Sequence, residues 1–173
     1  DKTKFLNQIN ADITETSKER SFILQLVDKN NYEKWIETSS TVIDYEGINA
    51  TLFIGSDITE RRKSDLQLTK FSTGIMNSPS SIVITDINGT IEYVNPYFTE
   101  TTGYTFEEAV GENPRILSSG KNSRELYADM WNTILEGEIW DGEFQNKKKN
   151  GQFYWEAVRI APIYNQEGII SSF

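Results

Sequence analysis

Residues 81–98, SIVITDINGTIEYVNPYF, decide the fold of this chain. Two segments rich in β-branched residues, 81–86 and 90–94, flank a polar turn. These segments predict two strands. Asn88-Gly89 in the turn is a strong signal for a tight hairpin, because both residues tolerate positive φ. Asn95-Pro96 ends the second strand, and a proline suits the first turn of a helix. The stretch therefore predicts a β-hairpin that leads directly into a helix.

The residues after this stretch predict helices followed by three strands. Thr105 and Glu108 have the spacing of a capping box. Residues 122–136 predict the best helix of the chain, and its apolar face consists of Leu126, Tyr127, Met130, Trp131, Ile134 and Leu135. Three strands are predicted at residues 139–146, 152–162 and 168–173. Two strands, then helices, then three strands make an α+β arrangement.

The first third of the chain echoes its end. Residues 1–20 predict an amphipathic helix, and strands follow at residues 21–28, 33–45 and 49–55. The order of strand, polar turn, Trp-bearing strand, Gly-containing turn and strand recurs after residue 139, which indicates an internal repeat. We therefore expect three segments. Residues 1–58 are the rear part of a first unit, and residues 59–76 are a linker helix. Residues 77–173 are a second unit that lacks its own Asp-Ile-Thr exit.

The linker helix allows two interpretations. Thr59 is a plausible N-cap, and Leu68, Phe71 and Ile75 form a thin apolar stripe. The helix is either a plain linker that lies on its neighbour or a connector that transmits motion or dimerises.

Composition excludes several classes of function. The chain has 26 acidic and 17 basic residues and a formal charge of −9, which opposes binding to nucleic acid. It has neither cysteine nor histidine, so thiolate nucleophiles, Cys-ligated metals, His general bases and His-ligated haem are excluded. No apolar run is long enough to span a membrane, so we expect no direct membrane insertion by this segment and a cytoplasmic location, although the parent could be anchored elsewhere.

Taken together, these motifs resemble the PAS family of sensory domains. The matching pieces are SIVITDINGTIEYVNPYF, the Thr-Thr-Gly-Tyr segment 101–104, Gly-Glu-Asn-Pro at 111–114, Trp140-x-Gly142, Lys-Asn-Gly at 149–151, Ala161-Pro162 and the Asp-Ile-Thr exit at 57–59. The resemblance implies a five-stranded antiparallel sheet, with short helices over one face enclosing a small-molecule pocket. It covers residues 78–173 almost fully and residues 21–59 as a rear fragment.

Within this family, the segment Asn-Pro-Arg-Ile-Leu with a downstream Trp resembles the flavin-binding redox sensors that regulate nitrogen fixation and methane oxidation. In that group a Trp on the long helix and an Asn on the next strand face the flavin. The resemblance implies flavin adenine dinucleotide (FAD) as cofactor, and the predicted binding residues are Asn113, Arg115, Ile116, Leu117, Trp131 and Asn146. Two further polar contacts of the group, a Ser and a Glu, fall here on Val83 and Pro114. Pro114 also occupies the position of the photoactive cysteine of light-oxygen-voltage flavoproteins, which excludes a cysteinyl–flavin adduct.

The residues themselves leave alternatives open. Trp131 lies on an apolar helix face, where an aromatic residue is either core or a ring-stacking contact. Asn146 shares a strand face with Trp140 and needs a partner if it is buried, which a ligand, a water or a backbone group could provide. Arg115 is either a phosphate contact or a solvated surface cation.

The sequence therefore predicts a sensory region and not an enzyme. The region would bind a small ligand and form a homodimer. It would relay the signal to an output domain of the same polypeptide, and the family resemblance implies that this domain is a histidine kinase or a diguanylate cyclase. The alternative is a ligand-free module for dimerisation and relay. We expect neither catalytic residues nor a metal site in this segment.

Overall fold

The computed structural model describes residues 20–173, which divide into two compact units between Lys70 and Phe71. The helix predicted over residues 1–20 lies outside the described residues, except that Arg20 begins a strand. Each unit is built around antiparallel strands.

The first unit contains a three-stranded antiparallel sheet in the order β1–β2–β3. The strands are β1 (Arg20–Val27), β2 (Glu33–Tyr45) and β3 (Ile48–Asp57). Glu46 and Gly47 connect β2 and β3 with φ values of 55° and 77°, which is the backbone of a tight two-residue hairpin. The three strands predicted from the sequence are all present.

Helix α1 (Thr59–Met76) follows β3, with the bounds that the sequence predicts. Thr59 fixes its start in two ways. The Thr59 amide donates to Asp57 Oδ1 at 3.0 Å, and Thr59 Oγ1 accepts from the Trp35 amide on β2 at 2.9 Å. The helix therefore begins at a point that hydrogen bonds attach to the sheet.

The second unit opens with the hairpin of β4 (Val83–Thr85) and β5 (Ile91–Val94). The predicted tight hairpin is present, and its loop has one positive-φ residue. The Gly89 amide donates to the Asp86 carbonyl at 3.0 Å, and the Asp86 amide donates to the Thr90 carbonyl at 2.8 Å. Of Asn88 and Gly89, only Gly89 has a positive φ, which is 80°. The loop is a turn closed by a glycine bulge, because Asp86 Oδ1 holds the amides of Asn88 and Thr90.

Four short helical elements connect the hairpin to the remaining strands. They are α2 (Pro96–Thr102), α3 (Phe106–Ala109), a 3₁₀ helix (Pro114–Leu117) and α4 (Arg124–Leu135). Asn95 caps α2 by accepting from the Phe98 amide, and Thr105 and Glu108 make both bonds of the predicted capping box.

The last strands are β6 (Trp140–Lys147), β7 (Phe153–Ile160), β8 (Ile163–Tyr164) and β9 (Ile170–Ser172). The single strand predicted over residues 152–162 is wrong in its last part, because the chain leaves the ladder at Ala161-Pro162, where proline has no amide hydrogen to donate.

The α+β class is confirmed, whereas the single five-stranded sheet implied by the resemblance needs correction. The unit has three antiparallel strand pairs, β4–β5, β6–β7 and β8–β9. Thr85 and Phe173 exchange two backbone hydrogen bonds of 3.0 Å, which join β4 to β9. The pairing therefore runs β5–β4–β9–β8, and β7 continues into β8 only across the Ala161-Pro162 break.

Two separate apolar clusters form the core of the second unit. The first, between the hairpin and the short helices, consists of Ile91, Val94, Phe98, Ala109 and Leu117. The second, between α4 and the last strands, consists of Met130, Ile134, Trp140, Phe144 and Phe173. The candidate site residues lie on and between these two clusters.

The β1–β2 and β6–β7 hairpins share one register. Gln25 pairs with Trp35, and Gln145 pairs with Trp155, so that equivalent positions are 120 residues apart. Each hairpin has eight paired positions and a five-residue turn. The repeat inferred from the sequence thus has a counterpart in backbone pairing within each unit.

Candidate ligand site of the second unit

The buried face of the β6–β7 pair forms the floor of the candidate site. Side chains alternate along a strand, so one face carries Trp140, Gly142, Phe144 and Asn146 from β6 and Tyr154, Glu156, Val158 and Ile160 from β7. The opposite face is exposed, as Trp155 shows with 67% of its surface accessible.

Aromatic rings cover one half of this floor. The Phe144 ring stacks on Trp140, with centroids 5.1 Å apart, and on Tyr127 of α4, with centroids 5.4 Å apart. Trp140 Nε1 donates to Asp129 Oδ2 at 2.8 Å, which ties the stack to α4. A Cβ on Gly142 would lie 2.3 Å from the Trp140 ring, so this position must be glycine. The stack fixes the distance between α4 and the sheet.

Polar side chains occupy the other half of the floor. Asn146 is buried, and its Nδ2 donates to Glu156 Oε2 at 3.0 Å. The Tyr154 hydroxyl donates to the same oxygen at 3.4 Å, a long bond. Burial, and secondarily the charge of Glu156, raises the pKa of Tyr154, so its phenol stays protonated and serves as a donor. We call Asn146, Tyr154 and Glu156 the polar triad.

The sequence analysis missed two members of the polar triad. Tyr154 and Glu156 alternate with Trp155 along β7, so strand parity alone puts them on one face. On β6 the same parity groups Asn146 with Trp140, and the structure confirms that grouping. The pairing register of β6 and β7 brings Glu156 beside Asn146, and this register could not be read from the sequence.

The segment after the 3₁₀ helix lies along β6 at Asn146. Ser118 forms a backbone bridge with Asn146, and the Ser119 hydroxyl donates to the Gln145 carbonyl. Asn122 binds the same residue twice, because its Oδ1 accepts from the Gln145 amide at 2.9 Å and its Nδ2 donates to the carbonyl at 3.1 Å. These bonds make the segment a wall beside the polar triad.

Asn113 holds the 3₁₀ helix to the β4–β5 hairpin. Its Nδ2 donates to the Gly89 carbonyl at 2.8 Å, and its Oδ1 accepts from the Arg115 amide and Nε at 3.1 and 3.0 Å. Trp131 reaches the same place, since a Cβ on Gly89 would be 3.2 Å from its ring, and it packs edge-to-face on Phe173 at 6.0 Å. Asn113 and Trp131 therefore meet at Gly89.

The six residues predicted as cofactor contacts thus lie in three places. Asn113, Arg115 and Trp131 gather at the hairpin, with Arg115 exposed. Ile116 and Leu117 pack into the first apolar cluster, and Asn146 belongs to the polar triad. The Ser118–Asn146 bridge connects the second place to the third. The role of these residues as cofactor contacts stays a prediction.

A cavity of about 310 Å³ lies at a different position, lined by Glu100, Thr101, Thr102, Gly103, Lys148, Lys149 and Asn150. It lies where the β6–β7 turn contacts the end of α2. The Lys149 amide donates to the Thr102 carbonyl at 2.9 Å, and Lys149 Nζ forms an ion pair of 2.5 Å with Glu108 Oε1. The cavity is a groove between these contacts and contains none of the six predicted residues.

The polar triad suits the edge of a nitrogen heterocycle. Both triad bonds end on Oε2 of Glu156, and Glu156 Oε1 accepts from none of the residues that the structure describes. No cation within residues 20–173 pairs with this carboxylate. An acceptor oxygen beside an amide group complements a ring edge that has an N–H next to a carbonyl, and the edge of a flavin ring has this pattern.

No group of three or more acidic side chains in residues 20–173 could hold a metal ion. Within the same range, no helix is both long and apolar enough to cross a membrane.

Comparison with known proteins identifies the fold and its relatives. The sequence model of the PAS domain matches residues 1–60 and 79–173. The nitrogen fixation regulatory protein of Klebsiella oxytoca is 33% identical over 103 residues, which are 60% of this chain and 21% of that protein. The aerotaxis receptor of Escherichia coli is 30% identical over 106 residues, which are 61% of this chain and 21% of the receptor.

Among solved structures, a PAS domain from Colwellia psychrerythraea superposes with a TM-score of 0.56 at 22% identity, over 61% of this chain and 91% of that domain. This likeness bears on the fold alone. The chain spans about a fifth of the length of the two curated relatives.

Proposed function

This chain belongs to the PAS domain family, and we propose that it senses a small organic ligand in its second unit and relays the signal to an output domain of the same polypeptide. The polar triad is the observation that carries this proposal, because a half-buried carboxylate without a described counter-ion on an inner sheet face is costly unless something binds it. The signal would act in the cytoplasm, and the output domain would be a histidine kinase or a diguanylate cyclase.

The ligand we propose is FAD, which when bound would supply a redox-active ring to the site. Asn146 would hydrogen-bond the ring edge from the floor, and Trp131 would pack against the ring. Arg115 is exposed beside Asn113 and suits a phosphate group. The similarity to a nitrogen fixation regulator and to an aerotaxis receptor supports a sensory role of this kind.

FAD titration of the refolded chain tests this proposal. Trp131→Ala and Asn146→Ala should each weaken binding about tenfold or more, as expected for the loss of about 1–3 kcal/mol from a ring contact or a buried hydrogen bond. Trp155→Ala is the matched control, because Trp155 lies on the exposed face of the same strand pair. Equal FAD affinity in all four proteins would refute the site, and a parent protein that binds no FAD would refute the ligand.

The second candidate is a ligand-free module that dimerises and relays a signal. It is favoured by two large apolar side chains that are exposed three positions apart on one face of α1: Leu68 (67%) and Phe71 (70%). A second copy of the chain would cover this stripe. Light scattering of the parent and of Leu68→Glu tests this candidate, since a parent that is monomeric at high concentration would exclude it.

A further inference from the structure

The chain has two methionines, Met76 and Met130, and no cysteine, so two thioethers are its only sulfur groups. Their surroundings are opposite. Met130 is 8% exposed within the second apolar cluster, whereas Met76, the last residue of α1, is 50% exposed. An oxidant dissolved in water reaches an exposed sulfur far more readily than a buried one, so Met76 is the thioether open to oxidation.

The exposed sulfur of Met76 has a hydrogen-bond donor fixed beside it. The Tyr93 hydroxyl on β5 donates to Met76 Sδ at 3.4 Å. The Tyr93 ring packs edge-to-face on Phe106 of α3, with centroids 6.2 Å apart, and its backbone pairs with Ile84 of β4. A thioether sulfur is only a weak acceptor, so this hydrogen bond holds α1 to β5 weakly. A stronger acceptor at the same place would hold it more tightly.

Met76 also lies at the point where α1 ends beside the β4–β5 hairpin. The Asn77 amide closes the last turn of the helix by donating to the Thr73 carbonyl at 3.1 Å. Nδ2 of the buried Asn95 donates to the Ile75 carbonyl at 3.2 Å. Backbone groups on both sides of Met76 are thus bonded already, and a chemical change at its sulfur acts directly on the last turn of α1.

We propose that Met76 is an oxidation site at which a peroxide tightens the attachment of α1 to β5. The sulfur attacks one oxygen of hydrogen peroxide, so an S–O bond forms and the O–O bond breaks. The second oxygen leaves as hydroxide, takes the proton of the first and becomes water. Sulfur loses two electrons and the peroxide gains them. The sulfoxide oxygen is a much stronger acceptor than the thioether, and the Tyr93 hydroxyl donates to it.

This inference goes beyond the proposed function, because it needs no ligand in the candidate site. Peptide mass spectrometry of the full chain after treatment with hydrogen peroxide tests the oxidation site. Met76 should gain one oxygen about tenfold faster than Met130 or more, since susceptibility follows exposure. In urea the two methionines should react at similar rates, which shows that both peptides are detected. Equal rates in the folded chain would overturn the proposal.

Hydrogen exchange at the end of α1 tests the effect of oxidation. The reporters are the amides of Asn77 and Ser78, which donate to the carbonyls of Thr73 and Ile75. In the oxidised parent these amides should exchange about threefold more slowly than in the reduced parent, because a stronger hydrogen bond opposes opening of the turn.

Three variants connect this effect to the Tyr93 hydroxyl. Tyr93→Phe keeps the aromatic ring but has no hydroxyl, so oxidation should not slow its exchange. Met76→Leu has a similar volume and no sulfur, so peroxide should leave its exchange unchanged. Tyr97→Phe, which removes a hydroxyl from an exposed side chain of α2, is the control and should respond like the parent. Unchanged or faster exchange in the oxidised parent, or equal slowing in Tyr93→Phe, would overturn the proposal.

Discussion

Asn113 donates a hydrogen bond from its Nδ2 to the carbonyl oxygen of Gly89 at 2.8 Å, across 24 residues of sequence. The bond attaches the 3₁₀ helix to the loop of the β4–β5 hairpin. Trp131 of α4 packs at the same point, so three elements meet at one glycine. This contact decides where the wall of the candidate site lies.

Gly89→Ala should therefore destabilise the second unit. Gly89 has a φ of 80°, and an added Cβ would lie 2.8 Å from Asn113 Nδ2 and 3.2 Å from the Trp131 ring. We expect a loss of about 1–3 kcal/mol in the free energy of unfolding, from backbone strain together with crowding. Urea denaturation followed by circular dichroism measures it.

Gly151→Ala separates the two causes. Gly151 closes a five-residue turn of the same kind, with a φ of 88°, but nothing lies within 4 Å of its Cβ position. This variant should show only the backbone cost of about 1–2 kcal/mol. If Gly89→Ala lost no more stability than Gly151→Ala, the packing of Asn113 and Trp131 on Gly89 would have no energetic weight.

Local signals in the sequence were sufficient to predict most elements of the fold. Asn95 and Thr105 mark helix starts through side-chain bonds to nearby amides, and both caps are present. The predicted N-cap at Thr59 is wrong, because Thr59 is the first residue of α1 and its hydroxyl accepts from the Trp35 amide on β2. The break at Pro162 went against the prediction of a longer strand, although the missing amide hydrogen was visible in the sequence.

The candidate site was less predictable, because its contacts join distant parts of the chain. The Asn113–Gly89 bond spans 24 residues, and the Asn146–Glu156 bond depends on the register of two strands. Composition and parity could place each side chain on a face. Only the paired backbone shows which polar groups bind one another.

Glu108 should make stability depend on pH. The hydrogen bond from Lys149, and then that from the Thr105 amide, lowers the pKa of Glu108. A carboxyl group whose pKa is lower in the folded state stabilises the fold above its unfolded pKa of about 4.3, and this contribution is lost as pH falls through the folded pKa. The parent should therefore exceed Glu108→Gln in stability at pH 7, and the difference should vanish in acid.

Urea unfolding of both proteins between pH 7 and pH 2.5 measures that difference. Gln keeps the capping-box geometry, so the variant loses the ion pair with Lys149 and little else. Glu107→Gln, in the same exposed first turn of α3, is the control and should match the parent at every pH. A gap between parent and Glu108→Gln that stayed constant with pH would show that the carboxylate charge does not stabilise the fold.

Asp129 should hold the aromatic stack of the candidate site in place. Its Oδ2 accepts the only N–H of the buried Trp140 side chain, at 2.8 Å. Asp129→Ala leaves this indole N–H without its partner, so we expect a loss of about 1–3 kcal/mol in the free energy of unfolding. Asp129→Asn keeps an acceptor oxygen at the same position and should lose clearly less. Near-ultraviolet circular dichroism should show the altered Trp140–Phe144 stack in the alanine variant alone. If the two variants were equally stable, the hydrogen bond would not be what positions Trp140, and its packing on Gly142 and Phe144 would have to suffice.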